Sequence, residues 1–124
     1  MRPTPSVRTF ASHEWRTYRD LRLAALADSP DAFGGTLAEE ERRSNTEWSS
    51  RLASGVESNR DFPLVAEMGN EPIGLAWGRI ERSTPDVAHL YQMWVAPNYR
   101  GLGAGTKLLD RVIAWARAAN LSYL

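Results

Sequence analysis

The sequence predicts a mixed α/β (α+β) fold, a mostly antiparallel sheet flanked by helices, and three observations carry that expectation. Phe62 to Met68 and Pro72 to Glu81 read as strands, and the Gly69-Asn70 pair between them supplies turn chemistry, so together they form an antiparallel hairpin. Ala88 to Val95 is apolar on both faces, the pattern of a central strand covered on both sides. That strand runs through a glycine-rich loop into a helical pattern, and Leu121 to Leu124 then begins another strand. A strand-loop-helix unit leads next to a parallel strand, so the chain is expected to stop at the start of a fifth strand lying beside Ala88 to Val95.

The elements follow in order. Ser6 to Phe10 alternates weakly and reads as a short first strand, bounded upstream by Pro3 and Pro5. Ser12 is the expected N-cap of a helix with Glu14 in its first turn and with Trp15, Tyr18, Leu21, Ala25 and Leu26 at helical spacing. That helix should stop near Asp28, before Pro30. Phe33-Gly34-Gly35 then suggests a bend with one apolar anchor. Glu39 to Glu41 followed by Arg42 and Arg43 reads as a solvated helix surface. Thr46 to Ala53 reads as a second helix with Trp48 and Leu52 four apart and Gly55 as its terminator.

In the second hairpin strand Gly74, Ala76 and Gly78 share a face, which suits close packing there by a helix or a ligand, the helix being the plainer reading. Ser83 to Asp86 makes a turn. In the central strand His89, Tyr91, Met93 and Val95 alternate with Leu90, Gln92 and Trp94. The final helix places Leu108, Leu109, Val112, Ile113 and Ala116 on one stripe. The five tryptophans, Trp15, Trp48, Trp77, Trp94 and Trp115, are expected in the core or as pocket walls.

At 124 residues the chain is expected to be one domain, residues 1–124, able to hide about two-thirds of its unfolded surface. No apolar run is long enough to cross a bilayer and the N-terminus lacks an apolar signal segment, so the expectation is a cytoplasmic protein with no membrane partner. Cysteine is absent and only His13 and His89 remain as imidazole ligands, so no metal site is expected. A formal net charge of zero argues against a general nucleic-acid binder. Charge is nonetheless uneven: from His89 onward the chain carries +3, with the rest at −3.

The glycine loop lies in that basic part. Arg100-Gly101-Leu102-Gly103-Ala104-Gly105-Thr106 sets three glycines where a strand ends and a helix begins, so the backbone can approach a ligand and aim several amides at one anion. Amides in the first helical turn have no internal acceptor, and the helix dipole adds a positive end. The dinucleotide pattern GxGxxG fails because Gly105 follows Gly103 by two positions; the GxxxxGK[ST] pattern fails because Thr106 precedes Lys107.

The pattern that fits is R/Q-x-x-G-x-G/A after a strand ending in Val-x-Pro. Through MWVAPNYRGLGAG, and more loosely through the Arg22 to Thr36 segment RLAALADSPDAFGGT, the sequence resembles the GNAT superfamily of N-acetyltransferases. The resemblance implies acetyl-CoA as cosubstrate, no metal, and transfer of an acetyl group to a primary amine of a small molecule, peptide or protein by direct attack in a ternary complex. It implies that the loop amides of Leu102, Gly103, Ala104, Gly105 and Thr106 receive the pyrophosphate, with Arg100 and Gly101 flanking it. Met93, Trp94 and Val95 then hold the pantetheine arm, and an amide at a strand bulge polarises the thioester carbonyl.

Family members often place a glutamate base on the central strand; here His89 and Gln92 are the candidates, His89 as the group titrating near neutrality and Gln92 as a binder of substrate or water. The segment containing Glu39 to Glu41 lines the acceptor site in such proteins, which gives that run a second reading as an attractor of a cationic amine. The family's usual acid, a tyrosine, is expected beyond residue 124, so the chain is expected to be a C-terminally incomplete part of the domain. A homodimer is an expectation from the same resemblance. Two alternatives stay open: a non-catalytic acyl-CoA-binding or sensor domain, and a phosphoanion-binding regulatory module unrelated to coenzyme A.

Overall fold

The computed structural model describes residues 4–29 and 36–119 together with the backbone of residues 122–123. The bend expected at Phe33-Gly34-Gly35 lies outside the described residues. Ten elements follow one another: β1 (Ser6–Thr9), α1 (Trp15–Asp28), α2 (Leu37–Glu41), α3 (Asn45–Glu57), β2 (Asp61–Met68), β3 (Glu71–Ile80), β4 (Val87–Val95), a 3₁₀ turn (Pro97–Tyr99), α4 (Ala104–Ala118) and β5 (Ser122–Tyr123). The strands form one sheet in the order β1-β2-β3-β4-β5, antiparallel throughout except for the parallel β4–β5 pair. The hairpin, the parallel fifth strand and its place beside β4 agree with the expected mixed α/β fold.

The sheet has a core on each face. On one, Phe10 together with Tyr18, Leu21 and Ala25 of α1 and Trp48 and Leu52 of α3 covers Val65, Leu75, Trp77 and Trp94. On the other, Ala104, Leu108 and Val112 of α4 pack on Leu64, Ala66, Ile73 and Ala76. The small-residue face of β3 admits α4 at Gly78, where a Cβ would lie 2.9 Å from the Trp115 ring, whereas at Gly74 it would meet the Trp94 carbonyl oxygen of β4 at 2.6 Å. Leu109, expected on the buried stripe, is 38% exposed. All five tryptophans belong to these two clusters.

Three local expectations are corrected. Ser12 does not cap α1. Glu14 stands at the cap position, and its carboxylate turns back to accept from the Ala11 amide at 2.8 Å and from Arg8 at 2.7 and 2.8 Å. Gly55 does not end α3, which runs on to Glu57; it is buried against Trp77, whose ring a Cβ would meet at 2.4 Å. The Glu39–Glu41 run is not wholly solvated either, because Glu40 is 3% exposed and its carboxylate is paired with Arg22 at 3.2 Å, with Arg51 at 3.3 Å and with Arg43. Burial pushes the Glu40 carboxyl up, but the Arg43 hydrogen bond and the three positive charges outweigh it and hold it below its usual range. With those partners in place Glu40 is no free attractor for a cationic amine.

No helix among the described residues is long and apolar enough to cross a membrane.

Candidate functional site

β4 delivers the chain to the site. Its ladder with β3 closes where the Ala96 amide donates to the Ile73 carbonyl at 2.8 Å, and the 3₁₀ turn follows, with Tyr99 N–H donating to the Ala96 carbonyl at 2.9 Å. Pro97, which has no amide hydrogen to leave unpaired, opens that turn. Gly101 and Gly103 then take φ of +83° and +92°, and Gly103 caps α4. A Cβ at either position would meet nothing within 4 Å, so these glycines are set by backbone conformation and by open space beside the loop, not by packing. The first turn of α4 therefore presents amides without intrahelical acceptors to an open surface.

Between this loop and β4 lies a cleft of about 480 Å³. Met93, Trp94 and Val95 line it from β4; Tyr99, Arg100, Gly101, Gly103, Ala104, Gly105 and Thr106 from the loop and helix; Ser29 from the end of α1. The structure thus brings together nine of the ten residues expected around a cofactor. Leu102 is the exception, 47% exposed and not part of the lining.

Arg100 is braced at the rim. Its Nε donates to the Val95 carbonyl at 2.8 Å and its Nη2 to Asp28 Oδ2 at 2.8 Å, while Trp94 Nε1 donates to the same oxygen at 2.9 Å. The Trp94 hydrogen bond, followed by that of Arg100, holds the Asp28 carboxyl below its usual range. Asp28, Ser29 and Tyr99 are not among the residues that the sequence marks for the site. Asp28 is 66 and 72 residues from its two partners, and no local pattern announces such a pairing.

β4 is also irregular. Leu75 pairs with Trp94 and Trp77 with Tyr91, leaving Gln92 and Met93 together opposite Ala76. Gln92 sits at φ +57°, the one non-glycine residue with positive φ among the described residues. Such a conformation costs an L residue on the order of 1–2 kcal/mol. This bulge breaks the expected alternation: Leu90 packs on the α4 side together with Met93 and Val95, while Trp94 joins the core on the opposite face. Beyond Val87 and Ala88, which pair with β5, the outer edge of β4 has no strand partner among the described residues.

Of the two candidate catalytic residues, Gln92 stands at the bulge and accepts a hydrogen bond from the Tyr18 hydroxyl at 2.9 Å. His89 lies nearer the start of β4, its Nε2 3.1 Å from Thr84 Oγ1, and is not among the cleft residues.

The family described as Acetyltransferase (GNAT) family matches residues 12–124. The chain belongs to this family. It is similar to the L-2,4-diaminobutyric acid acetyltransferase of Nocardia farcinica (strain IFM 10152), 42% identical over 60 residues, a stretch covering 43% of this chain. The matched stretch spans 31% of that relative's length. Among solved structures, a predicted acetyltransferase from Clostridium acetobutylicum with acetyl-CoA superposes with a TM-score of 0.73 at 17% identity, over 98% of this chain and 79% of that one. The PaiA N-acetyltransferase of Thermoplasma acidophilum in complex with coenzyme A gives 0.76 at 13% identity, over 95% and 75%. At these identities the two structures establish the shared fold.

Proposed function

We propose that the chain transfers an acetyl group from acetyl-CoA to a primary amine of a small molecule, peptide or protein, by direct attack in a ternary complex. The observation that carries the reading is the loop at the N-terminus of α4: two positive-φ glycines with open space at their Cβ positions, facing the cleft that Met93, Trp94 and Val95 line, in a chain of this family. Relatives of the same fold solved with acetyl-CoA and with coenzyme A support the choice of ligand. The relative named for L-2,4-diaminobutyric acid supports an amine acceptor.

In this reading the amides of Gly103, Ala104, Gly105 and Thr106 hold the pyrophosphate, with Gly101 and Leu102 completing the loop. Each hydrogen bond to a charged oxygen contributes about 1.5–3 kcal/mol. Arg100, braced by Asp28 and the Val95 carbonyl, presents a pre-oriented guanidinium at the rim. The edge of β4 from Met93 to Val95, without a strand partner among the described residues, offers backbone groups to the pantetheine arm. Acetyl-CoA supplies a thioester whose carbonyl carbon the free amine attacks while the thiolate departs. The peptide at the Gln92–Met93 bulge stabilises the negative charge that grows on the carbonyl oxygen. Gln92 and His89 are the candidates for handling the amine's proton, directly or through water.

Calorimetric titration with acetyl-CoA and, in parallel, with inorganic pyrophosphate tests the ligand assignment. The expected result is binding of acetyl-CoA well above that of pyrophosphate, since the β4 contacts add to those of the loop. Binding of another nucleotide in place of acetyl-CoA contradicts the reading. Neither His89 nor Gln92 lines the cleft, which favours as second reading a non-catalytic acyl-CoA-binding or sensor domain. That reading predicts binding with no thiol release in the presence of amines.

A further inference from the structure

A buried hydroxyl group meets the β4 bulge from the core side. Gln92 occupies a backbone region that L residues leave readily, and neither Gln92 nor Met93 has a register partner on β3. Tyr18 of α1 is fully buried, and its hydroxyl donates to Gln92 Oε1 at 2.9 Å. Its ring is fixed by Phe10, Trp48 and Trp77, at centroid distances of 5.8, 5.7 and 5.4 Å. A ring packed on three sides leaves its hydroxyl little choice of position. Burial also pushes the Tyr18 hydroxyl above its ordinary range, so it stays protonated and able to donate.

We propose that Tyr18 is a positioning residue for acyl transfer: through Gln92 Oε1 it holds Gln92 left-handed and so fixes the orientation of the Gln92–Met93 peptide beside the cleft. This rests on the acetyl-transfer reading above. A strained conformation at a site persists only where the surroundings enforce it, and the rigid aromatic cluster is that enforcement. Loss of the hydroxyl would leave the ring and the core in place and free the bulge to relax.

The test is Y18F in the full chain, with Q92M as a second variant should the buried change prevent folding, and a double-mutant cycle in a Q92G background. Glycine adopts positive φ without support, so in that background the hydroxyl has nothing left to hold. Y18F is expected to lower kcat about tenfold and leave the KM for acetyl-CoA within about twofold, as for an interaction expressed in the transition state. Q92M should reproduce that pattern, and Y18F on Q92G should change kcat no further. Equal loss of kcat in the two backgrounds, or full kcat in Y18F, overturns the proposal. An amide spectrum of the ligand-free protein reads the same point without turnover: Y18F should move the Met93 resonance in the wild-type background and leave it in place in Q92G. Failure of the wild type to bind acetyl-CoA would sink the acetyl-transfer reading; unmoved Met93 resonances sink the positioning role.

Discussion

Gly103→Glu separates the loop's conformational role from its role in binding. Gly103 caps α4 at φ +92° and ψ 3°, with nothing within 4 Å of a built Cβ, so the side chain has room and the backbone alone objects. Holding an L residue there costs about 1–2 kcal/mol. Folding should weaken by that amount and no more. The ligand side responds differently. If the residue relaxes out of the left-handed region, the amides of Gly103 and Ala104 turn away, each worth about 1.5–3 kcal/mol against a charged oxygen. The new carboxylate also stands against the phosphates. Together these effects should raise the Kd for acetyl-CoA by at least about 100-fold, given that 1.4 kcal/mol is tenfold. The control is Gly69→Ala in the β2–β3 turn, at φ +62° and equally open, which should lose similar stability and keep its affinity. Calorimetry and thermal melts on the two variants decide the matter. Wild-type affinity in Gly103→Glu, or equal loss of affinity in Gly69→Ala, would refute the reasoning.

Further expectations concern the framework. Gly55→Ala should destabilise by about 1–3 kcal/mol in denaturant titration, because overpacking against Trp77 outweighs the gain in helix propensity; a stabilised variant would show that the α3–β3 contact yields freely. Glu40→Ala removes a buried carboxylate shared by Arg22, Arg43 and Arg51 and should cost on the order of 1.5–3 kcal/mol by the same titration, against near-neutrality for a solvated run. The Glu14 carboxyl is held down at about 2, from an ordinary 4.5, chiefly by its hydrogen bond from Arg8. A depressed carboxyl contributes stability that is fully present above its unfolded value and is lost as pH falls toward 2. Tm measured against pH should therefore fall less steeply between 4.5 and 2 in Glu14→Gln than in the wild type, and parallel slopes would count against the Arg8–Glu14 pairing.

Local chemistry explains what the sequence made legible. The β2–β3 hairpin rests on Gly69 and on alternation, α4 on its apolar stripe, and the loop on glycines whose positive φ no other residue adopts readily. Most cleft residues between Met93 and Thr106 are legible because they lie close together in the chain, Tyr99 being the exception. Features set by distant partners were not. Ser12 looks like a cap, yet Glu14 has both the Ala11 amide and Arg8 within reach. Gly55 looks like a stop, yet it is a seat for Trp77. Glu40 sits in a run that reads as surface, and only the folding of α1 and α3 around it supplies Arg22 and Arg51. The bulge at Gln92 depends on Tyr18, 74 positions away, and no period in β4 could announce it. Asp28 joins the site in the same way, through Trp94 and Arg100.

Thiol release from acetyl-CoA, followed with and without an amine such as 2,4-diaminobutyrate, bears most directly on the central claim. Acetyl transfer predicts release that requires both protein and amine and that matches the acetylated amine mole for mole. Saturable binding of acetyl-CoA with no amine-dependent release across a panel of amines would contradict it.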